Sequence, residues 1–185
     1  LASPFYGMLV TKLDDEMNHI STSRYSESTK IFGKKIIASN DKDGYFIIGS
    51  KNGDLFVIRL NNDLTVDWSK SYSNAYSSNK AVDIYSTTNN GCVILAEINM
   101  SGNINIMLMK IDSEGNEEWS KTYEGAAGEY PKQIIKTSGG YKILSNTQSF
   151  GEGASEILCI DVDDSGTILE SNTFGTASSE VPRAI

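Results

Sequence analysis

The chain has 185 residues but only one histidine, two cysteines and three prolines. A single histidine, His19, excludes histidine-rich metal centres, and any Ser-His-Asp or Cys-His chemistry would depend on that one residue. No acid or nucleophile is paired with His19 in the sequence pattern. We therefore expect it to be a surface residue at the start of an outer strand.

Long apolar runs and clusters of basic residues are also missing. The longest apolar run, 92–96, is far shorter than the roughly 20 residues that a membrane-spanning helix needs. Sixteen Lys and Arg against twenty-four Asp and Glu give a net charge of −8, which argues against nucleic acid as a partner. The first residues show no signal-peptide pattern, which is also what a processed secreted or lipid-anchored chain would show.

The two cysteines do not form a recognisable metal or redox motif. Cys92 and Cys159 lie within separate apolar runs, and neither belongs to a CxxC pattern. We interpret them as buried free thiols that act as small apolar side chains. A disulfide between two strand interiors is the alternative.

Internal repetition, with a period of about fifty residues, organises the chain. Lys12, Arg59, Lys110 and Asp161 occupy one position, with spacings of 47, 51 and 51. Downstream of this position, the segment Trp-Ser-Lys-Ser-Tyr in one unit matches Trp-Ser-Lys-Thr-Tyr in the next. Because several landmarks recur in the same order, the repeat determines the fold.

Each repeat predicts four short strands. Runs of strand-forming residues end at Gly, Asn, Asp and Ser, and no window shows a convincing helical stripe. Four strands every fifty residues predict an all-β, β-propeller-type fold of four-stranded antiparallel blades. We expect a single repeat domain over 1–185, with partial blades at its two ends. The predicted units are 7–25, 31–72, 80–123, 130–174 and 181–185.

The two middle strands of each predicted blade have neighbours on both sides. Their apolar residues should therefore be buried within the sheets. The residues in question are Ile47, Val57, Val93, Leu95, Leu108, Ile143 and Cys159.

Residues 110–125 read Lys-Ile-Asp-Ser-Glu-Gly-Asn-Glu-Glu-Trp-Ser-Lys-Thr-Tyr-Glu-Gly. This segment resembles the repeats of bacterial extracytoplasmic β-propellers. It is similar to the quinoprotein-like (PQQ-like) blade family, whose Asp-x-x-x-Gly-x-x-x-Trp segment docks neighbouring blades. The resemblance implies a structural docking role for Trp68 and Trp119. Ser21 and Glu170 stand at that position in the outer units, so docking there should differ. It also implies a bacterial setting in the periplasm, on the cell surface or in the medium, and it implies no chemistry.

The sequence predicts no catalytic residues, no metal and no cofactor. Residues 161–166, Asp-Val-Asp-Asp-Ser-Gly, have the composition of a calcium loop. An EF-hand needs a glutamate at the twelfth position, where this chain has Asn172. We interpret the segment as a hairpin turn, with calcium as the alternative.

Two tyrosines are candidate ligand-binding residues. Tyr76 and Tyr130 fall outside the repeated aromatic positions and in predicted connections between units, where loops commonly contact ligands. The polar, uncharged segment 71–79 around Tyr76 suits contact with carbohydrate or peptide. The alternative is that both are ordinary loop tyrosines.

These features favour a non-catalytic binding or scaffold module of a secreted or cell-surface propeller protein, with a protein or glycan partner. The alternatives are a fragment of a propeller enzyme (a quinone-dependent dehydrogenase, or a hydrolase or lyase acting on polysaccharide) and an assembly protein that presents blade edges. Because no second strand is available between the partial units at the two ends, we expect an incomplete propeller. Its open blade edges would then favour self-association.

Overall fold

The computed structural model describes residues 7–26, 30–73, 79–152 and 154–184. Within these ranges the regular secondary structure is entirely β, and no helix capable of spanning a bilayer occurs in them. The strands in chain order are β1 (Gly7–Leu13), β2 (His19–Ser26), β3 (Ile31–Ala38), β4 (Tyr45–Lys51), β5 (Asp54–Leu60), β6 (Val66–Tyr72), β7 (Asn79–Ser86), β8 (Cys92–Met100), β9 (Asn103–Ile111), β10 (Glu117–Tyr123), β11 (Glu129–Thr137), β12 (Gly140–Thr147), β13 (Glu156–Val162) and β14 (Ile168–Phe174).

The strands form one hairpin and three four-stranded sheets. The hairpin is β1–β2, the first sheet is β3–β6, the second is β7–β10 and the third is β11–β14. Each sheet is an antiparallel meander in which neighbours in sequence pair directly. The prediction of an all-β chain built from four-stranded antiparallel sheets is confirmed, and none of the described sheets closes on itself.

The first strand of every sheet has a register shift at the same place. The shift follows Gly33 in β3, Ala81 in β7 and Pro131 in β11. A small residue or a proline suits this position, because a bulge leaves one residue out of the ladder and proline cannot donate to it. The repeat is therefore visible in backbone irregularities as well as in strand order.

The sheets stack in chain order around three apolar clusters. One cluster, which includes Phe46 and Ile94, fills the space between the first and second sheets. Another, which includes Val93 and Ile143, lies between the second and third sheets. The third, which includes Tyr25, joins the hairpin to the first sheet. The second sheet is consequently covered on both faces.

Six of the seven residues expected in the core are buried, and Cys159 is the exception. Burial alternates along β13, so that Leu158 and Ile160 are buried while Cys159 between them is only half-buried. The third sheet packs against the second with one face, and in the described part of the chain no further sheet covers the other face. The buried residues are Ile47, Val57, Val93, Leu95, Leu108 and Ile143.

The strand expected at 181–185 is not formed in its described part, 181–184. Just before it, Ser179 makes an isolated parallel bridge to Ser155, and the Glu180 amide donates to the Ser155 carbonyl (2.8 Å). A strand needs a paired neighbour, and none of the described strands lies beside this segment. Pro182 is nevertheless buried, which matches the buried Pro131 in β11.

Candidate functional site: sheet junctions and the loop end

Four equivalent turns join the third and fourth strands of successive units, at 14–18, 61–65, 112–116 and 163–167. In each turn the first amide donates to the fifth carbonyl and the fourth amide donates to the first carbonyl, at 2.9–3.1 Å. The fourth residue always has a left-handed backbone, with φ between 66° and 77°. These residues are Met17, Leu64, Gly115 and Gly166.

The outer strand of each of the first three units lies on the turn of the following unit. A tyrosine near the end of that strand donates its hydroxyl to the carbonyl of the left-handed turn residue. The pairs are Tyr25 with Leu64, Tyr72 with Gly115 (2.8 Å) and Tyr123 with Gly166 (2.8 Å). All three turn residues are buried beneath the strand that contacts them.

Trp68, for which the resemblance implies a docking role, contacts the turn of the second sheet. Its indole Nε1 donates to the Ser113 carbonyl at 2.9 Å. Its ring lies so close to Gly115 that a Cβ there would be 2.8 Å from the ring carbons. Lys70, two residues further along β6, donates to Asn116 Oδ1 at 2.9 Å. Three side chains of one strand thus reach the same turn, counting the tyrosine of the pair above.

Trp119 takes the corresponding place at the next junction. A Cβ on Gly166 would lie 2.9 Å from its ring, and the ring packs against the cluster between the second and third sheets. At the first junction, where Ser21 replaces tryptophan, Lys12 Nζ instead donates to the Asn62 carbonyl (3.0 Å). In β14 the tryptophan position is occupied by Glu170, whose side chain is exposed.

A second group of connections lies at the opposite end of the sheets from these turns. Because neighbouring strands are antiparallel, the hairpins between second and third strands and the connections between sheets share this end, which we call the loop end. Tyr130 lies here, but on β11 rather than in the connection, and its half-buried ring covers Gly128. Tyr76 lies outside the described residues.

A pocket of about 180 Å³ at the loop end separates the second sheet from the third. Apolar side chains from both sheets line it, together with Glu129 at the start of β11. Glu129 is 1% exposed. Burial raises its pKa above the usual value, and the neighbouring hydroxyls of Ser149 and Thr147 act in the opposite direction. Sequence reasoning missed this residue. The available signal was an acid at a strand start where the first sheet has Ile31.

The other sequence candidates stand apart from these features. His19 is exposed, with Nε2 2.8 Å from the Thr22 hydroxyl. Residues 161–166 run into the β13–β14 turn, where Asp163 Oδ1 accepts hydrogen bonds from the Ser165 and Thr167 amides (2.8 and 2.9 Å). In the described ranges, no three His, Cys, Asp or Glu side chains are grouped to hold a metal ion.

Among solved structures, the chain is similar to a protein of unknown function from Bacteroides caccae. The TM-score is 0.53 and the sequence identity is 12%, over 89% of this chain and 54% of that one. The chain therefore spans about half the length of that protein, and the likeness concerns the fold alone. No protein-family model matches the sequence, and a search of curated proteins also gives no match.

Proposed function

We propose that this chain is a non-catalytic binding or scaffold module of a bacterial protein outside the cytoplasm, in the periplasm, on the cell surface or secreted. Its sheets would be blades of a β-propeller similar to quinoprotein-like repeats. The observation that carries the proposal is the junction contact, in which a tyrosine of one unit donates to the turn of the next unit three times in succession. Such regular docking favours a rigid support for loops over a mobile catalytic cleft.

A propeller places the first strand of every blade near a common axis, and the contacts among first strands agree with this expectation. Asp83, on β7, forms an ion pair with Lys35 of β3. Its other carboxylate oxygen accepts a hydrogen bond from the Ile134 amide of β11 (3.0 Å). One buried carboxylate therefore links the first strands of all three sheets. The fourth strands, in contrast, are mostly exposed.

The loop end is the surface that we assign to a partner. It carries the longest connections, including the one between β12 and β13, and Tyr130 presents a half-buried ring there. A partly exposed tyrosine on a fixed strand offers contact area at little entropic cost, which suits a glycan or a peptide. We propose Tyr130 as a contact residue of this surface and keep Tyr76, which lies outside the described residues, as the second candidate from the sequence.

Binding to glycan and peptide arrays, and to cell-envelope fractions, tests this proposal. Replacement of Tyr130 by alanine should weaken the binding found with the unmodified protein by about tenfold or more, as expected for a central aromatic contact. Tyr85→Ala is the matched control, because Tyr85 lies near the other end of a first strand and is 37% exposed. Its effect on binding should stay below about threefold.

Two results would contradict the proposal. One is the absence of any binding partner together with measurable turnover of a substrate. The other is a purified protein that absorbs as a bound quinone, since a quinone cofactor would make the chain part of a dehydrogenase.

A further inference from the structure

The groove between the β1–β2 hairpin and the first sheet marks a strand position that the other units fill. We propose that it binds an extended segment of another protein, which pairs antiparallel with the edge of β1 that faces away from β2. The segment carries apolar side chains at alternate positions and acidic side chains between them. This inference does not depend on the partner proposed for the loop-end surface.

β1 corresponds to the third strand of a unit. The third strands of the three sheets, β5, β9 and β13, are each paired on both edges. Among the described strands, β1 pairs with β2 alone. β1 contacts β3 as β5 contacts β7 and β9 contacts β11, so the hairpin holds the places of the third and fourth strands. No described strand fills the second-strand place beside β1, and the backbone groups of this edge can accept one.

The first strand of the first sheet shows the consequence for packing. Ile36, Ile84 and Ile134 each stand three residues after the register shift in β3, β7 and β11. Ile84 and Ile134 are each 4% exposed, because they pack in the clusters between sheets. Ile36 is 44% exposed, and Phe32 on the same strand is 62% exposed. β3 therefore presents apolar surface that is covered in the two equivalent strands.

The shape of the groove suits an extended occupant. A larger part, of about 530 Å³, is lined by residues 7–11 of β1 and 31–36 of β3. A smaller part, of about 350 Å³, continues along residues 10–13 and 36–38. Because both parts share Val10 and Ile36, the groove follows β1 from one end to the other.

The equivalent junctions show which side chains the groove would receive. The second strand of the first sheet contributes Phe46 and Ile48 to the cluster beside it, and the second strand of the second sheet contributes Val93 and Leu95. Each pair is separated by one residue, as expected for one face of a strand. A segment bound to β1 should likewise place every second side chain, an apolar one, against β3.

The charged residues that line the groove are lysines. Lys34 and Lys35 line the larger part and Lys12 lines the smaller part, in a chain with a net charge of −8. Lys35 is paired with Asp83 and Lys12 donates to the Asn62 carbonyl, whereas Lys34 is exposed. Acidic side chains in the bound segment would complement this positive charge.

The topology argues against a second copy of the chain as the occupant. Two β1 edges could pair antiparallel about a two-fold axis, which keeps the same face of both hairpins on one side. Met8 and Val10 on that face already pack against the first sheet of their own copy. The first sheets of the two copies would therefore compete for the same space. A segment without a covering sheet avoids this clash.

Fluorescence anisotropy with a labelled heptapeptide tests the proposal on the full chain. The probe is fluorescein-Glu-Phe-Glu-Ile-Glu-Val-Glu-amide, and we expect saturable binding with a Kd below about 300 μM. A peptide of the same composition with its three apolar residues adjacent should bind at least about tenfold more weakly, because it cannot present them on one face. Lysine in place of the glutamates should weaken binding by about threefold or more.

N-methylation of the probe tests the pairing with the backbone of β1. Amides of alternate residues point to opposite edges of a strand. Methylation of one alternate set should abolish binding, whereas methylation of the other set should change it by less than about threefold. Hydrogen exchange gives a second measurement. The β1 amides that point away from β2 should exchange at least about tenfold more slowly when the probe is saturating.

Variants of the protein locate the site. Ile36→Asp should weaken binding by about tenfold or more, because it places a charge where the apolar side chains of the segment pack. Ile20→Asp on β2 is the matched control, since Ile20 is 52% exposed and lies outside the groove. Its effect should stay below about threefold.

The proposal is overturned if the probe shows no saturable binding up to about 1 mM, or if the two Asp variants bind it equally well. Equal losses from both methylation patterns would exclude pairing with β1 and would also overturn it. A concentration-dependent dimer that Ile36→Asp dissociates would make a second copy the occupant. Slow exchange of the outward β1 amides in the monomeric protein without probe would show that the chain itself covers this edge. Either result contradicts the proposal.

Discussion

Replacement of Trp68 by alanine tests the junction between the first and second sheets most directly. The half-buried indole lies over Gly115 and packs near Phe46, with the two ring centroids 6.1 Å apart. Its Nε1 donates to the Ser113 carbonyl at 2.9 Å. The substitution therefore removes both packing between the sheets and one hydrogen bond.

The expected cost follows from these two contributions. Truncation of a fully buried aromatic ring to alanine costs about 3–5 kcal/mol, and a half-buried ring should lose about half of that. The hydrogen bond contributes about 0.5–1.5 kcal/mol. Trp68→Ala should thus lower the free energy of unfolding by about 2–4 kcal/mol. Trp68→Phe keeps most of the ring contact and should lose about 1 kcal/mol.

Urea unfolding followed by far-ultraviolet circular dichroism measures these losses without relying on tryptophan fluorescence. Trp119→Ala is a useful comparison, because its ring has the same contact with the turn of the next sheet. It should cost about 2 kcal/mol, less than the roughly 3–5 kcal/mol expected of a fully buried ring. A loss below about 0.5 kcal/mol for Trp68→Ala would refute the docking role, because surface substitutions have effects of that size.

Three further predictions concern the turns and the thiols. Gly115→Ala should lower the free energy of unfolding by more than about 2 kcal/mol, because Gly115 has a left-handed backbone and a Cβ there would clash with the Trp68 ring. Gly102→Ala is the control: Gly102 also has a positive φ but open space around it, so the same assay should show a loss of about 1 kcal/mol. Hydrogen bonds from the turn lower the pKa of Asp112 in the folded state, so its contribution to stability is present above its unfolded pKa of about 3.9 and is lost as the pH falls through the lower folded value. The melting temperature of Asp112→Asn should accordingly vary less with pH below about 4 than that of the unmodified protein. In the native protein a thiol reagent should modify the half-buried Cys159 faster than Cys92. Cys92 is fully buried, and burial raises the pKa of its thiol. Equal rates of modification would contradict this prediction.

The sequence was sufficient to predict the strands and their grouping because both depend on local signals. The recurring basic position at Lys12, Arg59 and Lys110 marks the third strand of successive units. The turn that follows it has the same backbone geometry in every unit, whether its left-handed residue is Leu64 or Gly115. Such signals act within a few residues of chain, so the sequence alone reveals them.

The predictions that were wrong concern features that depend on how neighbouring sheets pack together. The sequence of a single strand does not determine that packing. Cys159 belongs to an apolar run like that around Cys92, but among the described residues the third sheet, unlike the second, is covered by another sheet on one face only. Tyr130 follows a glycine-containing connection, and the start of β11 was placed one residue too late to include Glu129. The pocket requires two sheets to meet, so the position of Glu129 in the linear pattern gave no indication of its burial.

The feature common to all three junctions is the tyrosine hydroxyl, since tryptophan is present at only two of them. The hydroxyls of Tyr25, Tyr72 and Tyr123 each donate to a buried carbonyl in a left-handed turn. Burial raises the pKa of all three phenols, which favours the protonated form that donates these hydrogen bonds. At the corresponding position β14 has Phe174, 55% exposed, and no described turn lies beneath it.

Each Tyr→Phe substitution at these three positions should leave one buried carbonyl without its donor while the ring remains in place. We expect each to lower the free energy of unfolding by about 1–2 kcal/mol. Because the three sites lie at separate junctions, the losses should add in the triple variant. Tyr85→Phe, at a partly exposed ring, is the control and should stay within about 0.5 kcal/mol of the unmodified protein. If the three variants were as stable as this control, the hydroxyl contacts would be incidental and packing of the rings alone would hold the sheets together.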